Sequence, residues 1–273
     1  MTPDSFATFA ALVRARSGMV LTPDKDYMLE GRLGPLLRRE GLPGLDALAQ
    51  RLRAAAPGAE ALAREIAEAL TINESSFFRD GKPFDHLRRL LPQLRAARPA
   101  GQRLRLWSAA CSTGQEAYSI AMLLREQGLE GEILGTDLSR EVLERAREGV
   151  FTQFEVQRGL PVQMLVRYFR QEGGKWRILP ELRAMARFEE ANLLEPQRGL
   201  GLFDVIFCRN VLIYFDPPTK EHVLALLARH LAPDGVLFLG GAETVLGLSS
   251  PWVPMAGERG AFVLSPQEAA LAF

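Results

Sequence analysis

The chain has 273 residues, 47% of them hydrophobic and 24% charged, with Lys plus Arg matching Asp plus Glu at 33 each. This is the composition of an ordinary globular protein of one large domain or two smaller ones, able to bury a sizeable core without disulfides or metals. Zero net charge argues against a nucleic-acid partner held by a broad basic face, and no segment reaches the roughly 18 uninterrupted apolar residues of a membrane span.

Residues 1–70 read as all-helical. Thr2-Pro3 pairs a cap with a proline at the first helical position, and Phe6, Phe9, Ala10 and Val13 follow at helical spacing. The opening segment lacks the charged and apolar regions of a signal peptide, so a cytoplasmic location without membrane insertion is expected. Thr22-Pro23 repeats the capping device ahead of a helix carrying Tyr27, Met28, Leu33, Leu36 and Leu37, with Gly41 as its stop. Further helices are expected over 45–55 and 59–70. Arg32, Arg38 and Arg39 lie along one stretch, which reads either as a solvated face or as a docking surface for an acidic partner. Residues 70–80, "LTINESSFFRD", are polar with two adjacent aromatics, an odd composition for a plain linker. A helix from Lys82 is expected to break or end near Pro92.

From Leu104 the pattern changes to alternating strand and helix. Strands are expected over 104–108, 132–137, 188–191, 203–208, 235–240 and 260–264. Helices are expected over 114–127, 139–148, with Ser139 as cap, and 220–230. Such alternation argues a parallel α/β sheet. It is interrupted over 150–187, where "KWRIL" reads as a small extra strand of an inserted subdomain and Gly173-Gly174 as a tight hairpin turn.

Ligands of open α/β sheets sit beyond the carboxyl ends of the strands. Those ends collect Ser108 to Glu116, Asp137, Asn192-Leu193 and Arg209-Asn210. Asp137 lies 23 residues after Gly114. An acid there accepts both hydroxyl protons of a ribose, or serves as a plain turn or capping aspartate. The turn after the first strand, Ala109 to Gly114, keeps small residues but a single glycine. Pyrophosphate needs a barer backbone, whereas a nucleoside without phosphate does not, and S-adenosylmethionine is such a ligand. Glu116 would balance its cationic end, stabilise the helix dipole, or both. Cys111 and Cys208 have no metal-ligand spacing; both are expected reduced and near this site, and no metal is expected.

The stretches "LTINESSFFRD", "LWSAACSTGQEAYSIAMLL", "GTDLSREVLERAREGVF", "EEANLLEP" and "FDVIFCRNVLIYF" together resemble the CheR-type chemotaxis receptor glutamate methyltransferases, over nearly the whole chain. The resemblance implies an all-helical N-terminal domain for receptor recognition (1–70), a connector (71–100), and a Rossmann-like class I SAM-dependent methyltransferase sheet (101–273). A small antiparallel β-subdomain is inserted in that sheet at about 150–187. It implies S-adenosylmethionine as cofactor, S-adenosylhomocysteine as product, and methyl esterification of glutamates on the cytoplasmic helical bundle of chemoreceptors. Carried over, the cofactor contacts fall on Asn73, Ser75, Arg79, Glu116, Asp137, Asn192, Leu193, Asn210 and Val211, with Ser75 where the family often has threonine. Asn192 and Leu193 would hold the adenine, and Asn73, Ser75 and Arg79 would close over the amino-acid end. Arg79 and Tyr214 would orient the acceptor carboxylate. Members that grip a C-terminal receptor peptide carry a longer glycine-bearing loop than Gly173-Gly174, so such a peptide is expected not to be required here.

A glutamate carboxylate is a nucleophile at neutral pH, so no general base is needed. The three histidines, His86, His222 and His230, fall outside every motif and are expected on helices. Two alternatives stay open at this level: a SAM-dependent methyltransferase of another protein substrate, and a non-catalytic SAM-binding signalling scaffold. A nicotinamide dehydrogenase is disfavoured by the glycine-poor turn.

Overall fold

The computed structural model describes residues 1–54 and 58–271; Ala55, the expected end of a helix, and residues 272–273 lie outside them. The chain divides into two compact units: Met1–Ile72 with Tyr214–Thr219, and Asn73–Ile213 with the chain from Lys220 onward.

The first unit is helical. It contains α1 (Pro3–Ser17), a single 3-10 turn (Pro23–Lys25), α2 (Asp26–Arg39), α3 (Leu45–Arg53) and α4 (Ala59–Leu70). Thr2 caps α1 by accepting the Ser5 N–H, and Gly18 ends it in the left-handed region. Phe9, Val13, Leu29, Leu33, Leu48 and Ile66 meet in one apolar core. The Thr22-Pro23 device opens the 3-10 turn, and Thr22 makes no side-chain capping bond. Arg32 is half-buried, and its guanidinium donates to the Ala69 and Thr71 carbonyls at the end of α4. Arg39 pairs with Glu40 and Glu65. The segment Tyr214–Thr219 completes this unit. Phe215 bridges Met19, the Val20 N–H donates to the Tyr214 carbonyl at 2.9 Å, and Asp216 pairs with Arg14.

The second unit begins with α5 (Lys82–Ala96), whose Phe84, Leu87, Leu91 and Leu94 enter the sheet core. The helix does not break at Pro92. A proline cannot donate to the carbonyl four residues back, that of Arg88. Here the Gln127 side-chain amide donates to it instead, at 2.7 Å, so the turn is satisfied and the helix continues.

Seven strands form the main sheet: β1 (Leu104–Ala109), β2 (Gly131–Asp137), β6 (Ala186–Glu190), β7 (Phe203–Cys208), β8 (Leu231–Leu239), β9 (Trp252–Pro254) and β10 (Ala261–Leu264). Their order is β6-β2-β1-β7-β8-β10-β9. The pairs from β6 to β8 are parallel, and β10 runs antiparallel to both β8 and β9. All six residues of β7 are buried, as a strand covered on both faces must be. The helices α6 (Gln115–Glu126), α7 (Arg140–Glu148), α11 (Pro217–Ala228) and α12 (Pro266–Leu271) connect or flank the strands. Ser139 holds the N-cap position of α7, but its side chain makes no capping bond; the carboxylate of Asp137 takes its N–H. His230 lies in the turn after α11, not on a helix. Among the described residues, no helix is long and apolar enough to cross a membrane.

Between β2 and β6 the chain adds a three-stranded antiparallel sheet of order β3-β5-β4, made of β3 (Val150–Thr152), β4 (Phe169–Glu172) and β5 (Lys175–Ile178). Short helices α8 (Gln153–Gln157), α9 (Val162–Tyr168) and α10 (Pro180–Arg183) accompany it. Gly173 and Gly174 both take positive φ, the pattern of a two-residue type I′ hairpin.

Candidate active site

Chain direction across the sheet reverses between β1 and β7: β1 leads outward to β2 and β6, and the chain returns to β7 on the other side. That switch point opens a crevice beyond the carboxyl ends of these strands. The turn after β1 carries Ala110 at φ 64° and Ser112 at φ 51°. Asn210, just past β7, sits at φ 59°, and Phe78 and Asp80 in the segment before α5 at φ 47° and 67°. These are the non-glycine left-handed residues among the described ones. Such conformations cost about 1–3 kcal/mol each and concentrate where the backbone must hold a ligand. The sequence showed a turn with a single glycine; at Ala110 and Ser112 the structure keeps the left-handed geometry and bears its strain.

Asp137 ends β2 and is 8% exposed. One carboxylate oxygen accepts the Ser112 N–H at 2.8 Å and the other the Ser139 N–H at 3.0 Å. Both oxygens of the carboxylate are thus held by backbone amides at the carboxyl end of β2. Asp137 thus braces the β1 turn and the start of α7 at once.

Glu116, in the first turn of α6, accepts the Ser108 hydroxyl at 2.8 Å and Arg209 Nη1 at 3.0 Å. Burial pushes its carboxyl above the usual range, and the neighbouring Arg209 charge works against that. Arg209 was noted in the sequence as a strand end and given no role. Its side chain is 1% exposed. Besides Glu116, it donates to the Arg79 carbonyl and to Asp80 Oδ2, both at 2.8 Å, and stands over the Phe84 ring. The sequence offered no role for Asp80 and none for Arg209 beyond its place at a strand end, because their partners are far away along the chain. The available signal was a cation directly after a wholly apolar strand.

Arg209 thereby pins the polar segment that carries Asn73, Ser75 and Arg79. Further ties hold it: Ser112 Oγ donates to the Asn73 carbonyl at 2.8 Å, and the Phe78 N–H donates to Ser119 Oγ at 3.0 Å. Phe77 is fully buried against Phe151 and Phe169 of the inserted subdomain. Arg79 donates to the Glu74 carbonyl at 2.8 Å, and Glu74 pairs with Arg158 at 2.7 Å. Ser75 is half-buried in the same stretch. The segment is a fixed wall.

Asn192 and Leu193 follow β6 and are half-buried. Asn192 Oδ1 accepts the Leu194 N–H at 3.0 Å, which fixes the turn in which both stand. Asn210 and Val211 follow β7. Tyr214 belongs to the other compact unit, where it packs on the helical core. Cys111 and Cys208 are buried and unbridged, and burial raises both thiols well above their ordinary range.

These residues suit a cationic nucleoside. Carboxylates stand at the end of β2 and at the start of α6, and the buried Arg209 behind them is engaged by Glu116 and Asp80. A pyrophosphate would meet acids here; a ribose and a sulfonium-bearing amino acid would find acceptors. The sheet order, with its antiparallel β10, and this acid-lined crevice define a class I S-adenosylmethionine-dependent methyltransferase. Comparison with known proteins places it within that class. Residues 73–259 match the family model for the CheR methyltransferase SAM binding domain, and residues 4–71 that for the CheR methyltransferase all-alpha domain. The chain belongs to the CheR methyltransferase family, and its cofactor is S-adenosylmethionine. It is 38% identical over 253 residues to the chemotaxis protein methyltransferase Cher2 of Pseudomonas putida, covering 89% of this chain and 91% of that one. It is 40% identical to chemotaxis protein methyltransferase 1 of Pseudomonas aeruginosa, with the same coverage. To the chemotaxis protein methyltransferase of Salmonella typhimurium it is 38% identical, over 89% and 84% of the two chains.

Proposed function

We propose that this protein transfers a methyl group from S-adenosylmethionine to glutamate side chains on the cytoplasmic helical bundle of chemoreceptors, giving methyl esters for sensory adaptation, and that it does so in the cytoplasm. The observation that carries the reading is the likeness to chemotaxis protein methyltransferases over 89% of the chain, helical part included.

When bound, the cofactor supplies an electrophilic methyl group on a sulfonium. In this reading Asp137 accepts from the ribose hydroxyls, Asn192 reads the adenine edge and Leu193 packs on its face. Glu116, held by Ser108 and Arg209, balances the positive end. Asn73, Ser75 and Arg79 close over the amino-acid end, and Asn210 and Val211 complete the cofactor contacts. The acceptor glutamate, with an ordinary pKa of about 4.3, arrives ionised, so no residue has to remove a proton. Arg79 and Tyr214 orient that carboxylate and exclude water from it. A displacement that annihilates opposite charges gains from alignment and a dry site.

The test is incubation of the purified protein with methyl-labelled cofactor and membranes of its host. Base-labile label on a receptor-sized band is the expected result. Label that survives base, or appears on no receptor, would show that the acceptor is a different group.

A further inference from the structure

The loop that follows β7 runs Asn210-Val211-Leu212-Ile213, and its first residue holds a left-handed backbone at φ 59° without being glycine. No ladder bond of the sheet holds these amides, because β7 has ended at Cys208. A carboxylate does. Glu243, beyond the end of β8 and 9% exposed, accepts the Asn210 N–H at 2.8 Å and the Gly240 N–H at 2.6 Å through Oε2. Through Oε1 it accepts the Val211 N–H at 2.9 Å and the Ile213 N–H at 3.3 Å. Four backbone donors from two loops thus converge on one side chain. Hydrogen bonds to an ionised acceptor are the stronger kind, and their number here lets the carboxylate hold a conformation the chain would not choose.

The surroundings are cut to fit this carboxylate. A Cβ on Gly240 would come within 2.6 Å of Glu243 Oε2 and 2.9 Å of both the Asn210 amide nitrogen and its side-chain Nδ2. Gly240 has no positive φ to demand glycine. What demands it is the space that Glu243 and Asn210 occupy together.

We infer that Glu243 is a positioning residue for the methyl transfer: a buried carboxylate that fixes the Asn210-to-Ile213 backbone and so sets where Asn210 and Val211 meet the cofactor. The inference rests on those two residues being cofactor contacts. Glu243 itself touches no reacting atom.

Two variants attack the device from opposite sides. Glu243→Gln removes the charge and turns an amide donor toward backbone donors. Gly240→Ala leaves the carboxylate and wedges it away. Asp204→Asn is the control: Asp204, 5% exposed at the other end of β7, accepts the Arg105 N–H and pairs with Arg98, so its loss destabilises the same strand far from the loop. For each full-length protein we would measure S-adenosylhomocysteine affinity by calorimetry, the melting temperature, and amide hydrogen exchange at 210, 211 and 213. Glu243→Gln and Gly240→Ala are expected to speed exchange at those amides and to weaken binding by about tenfold or more, with the Michaelis constant for the receptor unchanged. Asp204→Asn is expected to lower the melting temperature and leave binding intact. Protected amides in the first two variants, or affinity that merely follows melting temperature through all three, would overturn the inference. So would faster exchange with unaltered affinity. A wild-type protein that fails to bind S-adenosylhomocysteine would instead sink the reading of the site on which this one stands.

Discussion

Asp137 joins a structural task to the ribose role proposed for it. Its two oxygens already take the Ser112 and Ser139 amides at 8% exposure. Asp137→Ala therefore removes more than a ribose partner, since it leaves two buried donors without acceptors. We expect the variant to lose measurable S-adenosylhomocysteine binding in calorimetry and, in addition, to lose about 2–4 kcal/mol of stability in urea unfolding. Full stability with lost binding would mean that water replaces the carboxylate at both amides. Near-native binding would end the ribose assignment. The sequence made this position legible as an acid at a strand end. It could not reveal the amide of Ser112, because that contact exists only after β1 and β2 pair.

At the level of elements, the strands were legible where apolar runs are long and bounded, as in β7, whose observed limits coincide with the expected ones. β9 escaped notice: three residues ending in Pro254 carry too little pattern to register. Pro92 misled for a physical reason, since the carbonyl it orphans is repaired by Gln127, which ends α6 on the far side of β1 in the chain. The polar stretch before α5 was readable as unusual, but its role as a wall depends on the inserted subdomain. Gly159, at φ 82°, lies so close that a Cβ there would stand 2.0 Å from the Phe77 carbonyl oxygen. Gly159→Ala must shift that backbone. We expect about 2–3 kcal/mol of destabilisation in chemical unfolding, together with weaker binding of S-adenosylhomocysteine. A variant as stable as the parent would show that the two segments move apart freely.

For the whole molecule, the open question is how a receptor is held. The inserted sheet offers two edges, β3 of three residues and β4 of four. A peptide added as a further strand gains main-chain bonds in proportion to edge length, and the Gly173-Gly174 hairpin adds no wall beside it. We therefore expect peptides matching the C-termini of the host's receptors to show no micromolar binding in calorimetry. Saturable micromolar binding would overturn this and assign the inserted sheet a tethering role. Family and fold were readable from the motifs before any coordinates. The ionic ties of Arg209 to Glu116 and Asp80, and the hold of Glu243 on the Asn210 and Val211 amides, were not, because each joins residues that only the finished fold brings together.

The helical unit borrows Tyr214–Thr219 from far along the chain, with Phe215 bridging Met19 and Asp216 pairing with Arg14. A ribosome delivers its four helices early and this last piece late. During synthesis the unit must wait, incomplete, until more than two-thirds of the polypeptide has emerged, so the apparently independent N-terminal module becomes whole only after the parallel strands through β7 have been made. A gene truncated at the natural-looking boundary after Ile72 would encode four helices lacking the segment that closes them.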